Sequence, residues 1–171
     1  MISGGSNRIC NLLGRSKYQL FLGFLPLCTA ISGNIGLQSS SVTRNAVAHG
    51  LMTKEKYKVC VTQELGAAFY LGVLLGASVG AAAFFLSQSL YFALTMSLSQ
   101  FVSILSGSMI GTMAPLLCTS IFKLNAPKWE GPLVTAIQDL IGASVMFLMS
   151  YKLLGLLGPF TVDALDSCPA T

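Results

Sequence analysis

From Leu65 to Phe122 the chain carries no charged side chain at all. One membrane crossing needs about 20 apolar residues, so this run accommodates two crossings and the turn between them. A second uncharged run, Tyr18 to Thr43, supplies one more crossing, and a third apolar run, Gly131 to Tyr151, is interrupted only by Asp139. Of the 171 residues, 53% are hydrophobic and 9% charged, against roughly a quarter charged in a soluble domain. The expected architecture is all-α: a polytopic membrane helix bundle of about four transmembrane helices. It divides into an N-terminal segment (1–16), a transmembrane domain (17–157) and a C-terminal tail (158–171).

The net charge of +4 comes from basic residues placed in short clusters between the apolar runs. That placement argues for positive-inside asymmetry and against nucleic acid as a partner. The expected partner is the lipid bilayer, and the expected location is a multi-pass position in a cell or inner membrane. With four spans both termini share a side, holding Arg8, Arg15, Lys17 and Lys152. The opposite side holds Arg44, Lys54, Lys56, Lys58, Lys123 and Lys128, which places the Arg44 to Glu64 loop in the cytoplasm. The N-terminal Arg8, Arg15 and Lys17 before an apolar stretch also match the pattern of a signal peptide. The uncharged run continues past Ala30 to Thr43, and its length favours a retained span. Five cysteines form no CxxC pair, and Cys28 and Cys118 read as small packing residues within apolar runs.

Within the first span, Ser32, Gly33, Asn34 and Gly36 have poor helix propensity and predict a break or wide kink near Ser32–Gly36. Irregular backbone at membrane depth must pack in protein or line a watery cavity. A helix end feeding a polar loop is the other reading. In the second span Gly72, Gly76 and Gly80 follow Ala68 at four-residue spacing, the pattern of a close-packing helix seam. A tight turn is expected near Ser87 to Leu90. The third span then carries a second small-residue stripe, Ser103, Gly107 and Gly111, with a kink expected at Pro115. "KLNAPKWEGP" reads as a loop anchored by Lys128 and Trp129, with Pro132 in the first turn of the fourth helix.

Asp139 lies seven residues past Pro132, about 10 Å along a helix and well inside the hydrocarbon core. A carboxylate there costs on the order of 2.5 to 3.5 kcal/mol by insertion scales, and such residues face a bundle interior, a pathway or a partner charge. A buried ion pair with Arg44, or a protonated acid bonded to a carbonyl, is the structural alternative. One carboxylate among hydroxyls and amides is an all-oxygen environment suited to a hard cation. Magnesium keeps much of its own water and is held by one or two carboxylates, so it fits best. A two-fold dimer would bring two Asp139 carboxylates to a shared axis, and the small-residue stripes offer faces on which to form it.

Two stretches carry a resemblance to a known family. "FLPLCTAISGNIGLQSSSVTRNAVAHG" resembles the signature of MgtE-type magnesium transporters and their eukaryotic solute-carrier relatives, and "GPLVTAIQDLIG" resembles their last helix, G-P-x-x-T-x-x-x-D-x-x-G. The resemblance runs from about Tyr18 to Leu157. It implies a dimeric, channel-like transporter whose broken helix and last helix line the pore, with magnesium as the transported ion. On this chain the aspartate holding hydrated metal would be Asp139. Gly33, Asn34, Gly36 and Gln38 would shape and polarise the pore wall, with Thr135 one turn before the acid. The family's membrane unit has five helices where four are read here, so the first family helix is expected to be missing. The chain would then act as a homodimer or beside a partner half-transporter. Ser32 stands where a first glycine is usual, and Ala126 where an aspartate often precedes the loop proline.

A non-transporting membrane scaffold packed through the glycine stripes is the alternative function. An intramembrane hydrolase has little support, because the single histidine, His49, has no evident nucleophile to serve. The chain is expected not to be an enzyme.

Overall fold

The computed structural model describes residues 15–49, 54–120 and 126–156, with side-chain surroundings for 17–49, 58–115, 132 and 134–153. These residues form four long helices: α1 (Arg15–Ala48), α2 (Lys54–Ser87), α3 (Leu90–Ser120) and α4 (Ala126–Leu156). Each contains a stretch long and apolar enough to cross a membrane: Lys17–Ala48, Lys58–Ser87, Leu90–Pro115 and Val134–Leu153. Lipid offers no partner for free peptide groups, and an α-helix satisfies them all within one segment. The all-α bundle of four spans expected from the uncharged runs is the fold observed.

The turn expected near Ser87 to Leu90 is also present. Gln88 takes a positive φ of 51°, the left-handed conformation that ends a helix. Its backbone N–H still reaches the Phe84 carbonyl at 2.8 Å. Its side-chain amide donates to the Phe85 carbonyl at 2.9 Å, and the Ser89 N–H donates to the Ser87 hydroxyl at 3.3 Å. Groups orphaned at the helix end are thereby satisfied without charge.

α3 is the central helix and packs against all three others, α1 and α4 also pack together, and α2 meets α1 only slightly. The pairings fix the directions. Gly107 and Gly111 of α3 face Ser32 and Gly36 of α1 in ascending order, so α1 and α3 run parallel. Gly72, Gly76 and Gly80 of α2 face Phe101, Ser97 and Ala93 in descending order, so α2 runs against them. A β-carbon on Gly76 would sit 3.0 Å from the Ser97 carbonyl, and one on Gly111 would run into the Gly36 carbonyl. Both stripes are therefore seams inside a single chain. As faces for dimer formation they are already occupied, which corrects one ground for expecting a dimer.

The core divides by chemistry. At one end Phe21, Phe24, Cys28, Val79, Phe92, Met96 and Met146 form an apolar cluster, with Phe147 edge-on to Phe21 at 5.3 Å. Beyond it buried polar side chains, including Ser32, Ser39, Gln100, Ser103, Ser108 and Gln138, lie beside a second, smaller apolar cluster of Ile35, Ala68 and Ile104. Large apolar side chains such as Tyr70, Leu74 and Phe85 cover the outside of α2, where lipid would meet them.

Three boundary expectations are corrected. α1 is one continuous helix through Ser32–Gly36 and on to Ala48, with neither a break nor an early end. Ser32 bonds back to the Cys28 and Thr29 carbonyls at 3.1 and 3.0 Å, so its hydroxyl is satisfied without unwinding the helix. The poor propensity of Gly36 is offset by the close approach of α3 and α4 that it permits. The loop after the first span is also shorter than expected, because α2 starts at Lys54 in "KEKYK", a run of good helix formers. Likewise α4 starts at Ala126, so Pro132 lies inside the helix and not in its first turn.

Candidate functional site

The polar groups singled out from the sequence converge where α1 and α4 run antiparallel. Along this seam Gly142 packs against Thr29 and Ser32, and Gln138 and Asp139 then meet Ser32 and Gly33. Small residues at Gly33, Gly36 and Gly142 allow the approach. The side-chain amide of Gln138 donates to the Ser32 carbonyl at 2.8 Å. It fills the space that β-carbons on Gly36 and Gly107 would occupy. Gln138 is only 1% exposed, and its Oε1 has no partner among the described residues.

Asp139, one residue on, faces the other way. Its side chain is exposed on the outside of the four-helix unit, and a β-carbon on Gly33 would lie 3.8 Å from its Oδ1. Arg44 is about three turns further along α1, roughly 16 Å from Gly33. That is beyond the reach of an ion pair, and among the described residues no cation pairs with Asp139. Nor do the described residues contain a group of three histidine, cysteine or acidic side chains able to hold a metal. At this seam Asp139 therefore presents one carboxylate on an outward face.

The other expected site residues fall into two groups. Asn34 and Gln38, one turn apart on α1, are exposed on the outside of the unit, and Thr135 is half-buried one turn before Asp139 on α4. Gly33 is buried directly beside the carboxylate. Gly36 turns inward, where it meets the Gln138 amide and Gly111. Gln138 itself was not among the residues picked out from the sequence. The available signal was a second polar side chain next to Asp139 in an otherwise apolar helix.

The sequence profile of the family described as MgtE, a divalent cation transporter, matches residues 25–149. The chain is also 21% identical over 124 residues to the magnesium transporter MgtE of Bacillus subtilis (strain 168). That similarity covers 72% of this chain and 27% of the relative, so the chain spans only a fraction of that protein's length.

Proposed function

The chain belongs to the MgtE family of divalent cation transporters, and on that premise we propose that it moves hydrated magnesium across a membrane along the outer face of the α1–α4 seam. Asp139 holds the cation there, largely through the ion's own water. Asn34, Gln38 and Thr135 line the approach, and Gly33 keeps the wall beside the carboxylate thin. A second copy of the chain, or a partner half-transporter, closes the path on the far side and supplies a second carboxylate. The membrane is a cell or inner membrane.

The observation that carries this reading is the outward exposure of Asp139 from a membrane-spanning helix. An ionised carboxylate left facing hydrocarbon would be costly, and the same residue facing water and a divalent cation would not. The scaffold alternative rests on glycine stripes, and both stripes are used within the chain. Reconstitution into lipid vesicles tests the choice: magnesium entry above that of protein-free vesicles is expected, and its absence with well-folded protein contradicts transport by this chain.

A further inference from the structure

Stability alone gives no reason for Gln138. It is almost completely buried in a membrane bundle, its amide makes one bond, to the Ser32 carbonyl, and its Oε1 has no partner among the described residues. A buried acceptor without a donor destabilises, and an apolar side chain of similar shape would remove that defect. The notch receiving it is nevertheless closely fitted. Gly36 on α1 and Gly107 on α3 both lack the β-carbon that would occupy the place of the Gln138 amide. Next to the notch, Gly111 lets α3 touch the α1 backbone.

The consequence lies one residue further on. Consecutive side chains on a helix are about 100° apart, and Gln138 and Asp139 engage the consecutive residues Ser32 and Gly33 of α1. With Gln138 seated between α1 and α3, Asp139 projects past Gly33 to the outside. A rotation of α4 that carried Asp139 inward or toward lipid would pull the amide from its notch. We propose that Gln138 is a positioning residue which sets the rotation of α4 and so aims Asp139 at the cation path. This rests on Asp139 being the cation site. The two claims have separate tests.

The variant is Gln138→Met, which keeps the length and removes the amide. Two quantities are read: the magnesium concentration for half-maximal flux in vesicles, and the melting temperature without magnesium. A positioning role raises the half-maximal concentration about tenfold, the lower end of the loss usual for groups that orient a metal ligand, and leaves the melting temperature unchanged or higher. An unchanged half-maximal concentration, with or without a lower melting temperature, overturns the proposal. Gly36→Ala is the second variant, since its methyl evicts the amide while Gln138 remains. Adding Gln138→Ala removes that clash and should restore the melting temperature while the concentration stays raised. If Gln138→Met does not fold, this double variant decides: recovery of both quantities would mean that the role is packing alone. Asp139→Asn, made separately with Gln138 intact, tests the cation site. If it leaves the half-maximal concentration unchanged, the site assignment fails whatever Gln138 does.

Discussion

The Asp139 carboxylate lies 3.8 Å from the point where Gly33 would carry a β-carbon, on the outward side of the α1–α4 seam. Gly33→Ala would place its methyl in ordinary van der Waals contact there, so the variant should fold with its melting temperature unchanged within a few degrees. Gly111→Ala differs, because its methyl meets the Gly36 backbone and rigid helices must separate. It should cost about 1–3 kcal/mol, as overpacked cores do, and thermal melts of the two variants in the same detergent make the comparison.

The seam glycines also contrast with a free one. A β-carbon on Gly66 would meet nothing within 4 Å, so Gly66→Ala should stabilise α2 by about 0.5–1 kcal/mol through helix propensity. Gly76→Leu would drive a large side chain into the Ser97 carbonyl and should melt well below the parent. Equal melting temperatures for the two would contradict the α2–α3 seam.

Water along α1 is tested by chemical labelling. In a background without native cysteines, Asn34→Cys and Gln38→Cys should react with water-soluble thiol reagents, whereas Ser39→Cys, at a position 3% exposed and hydrogen-bonded to Ser108 at 3.0 Å, should stay inert. Uniform inertness would mean a dry outer face and no path beside Asp139.

These contrasts also mark what was readable from the amino-acid order. Four spans followed from uncharged runs because membrane thickness imposes a length that local composition reveals. Asp139 was legible because one acid in an apolar helix stands out at any register. The continuity of α1 was not, since propensity at Ser32, Gly33 and Gly36 describes an isolated helix, while the compensating contact comes from Gly111, far along the chain. Gln138 was missed for a related reason. Its notch joins Gly36 and Gly107, two glycines on different helices, and no local pattern links them.

A single carboxylate, Asp139, at the α1–α4 seam leaves a divalent ion half-matched, so the transporting form should be a two-fold dimer or a pair with a second half-transporter. Mass measurement in lipid nanodiscs should give at least two chains per particle. A strictly monomeric particle that conducts magnesium would contradict the shared path.

The most direct test of the cation site is magnesium flux through Asp139→Asn in lipid vesicles, measured beside its thermal melt. Asparagine keeps the shape and one oxygen and removes the charge, so the variant should melt like the parent and lose most of its magnesium flux. Parental flux through a well-folded Asp139→Asn protein would contradict the assignment of Asp139 as the group that holds the ion.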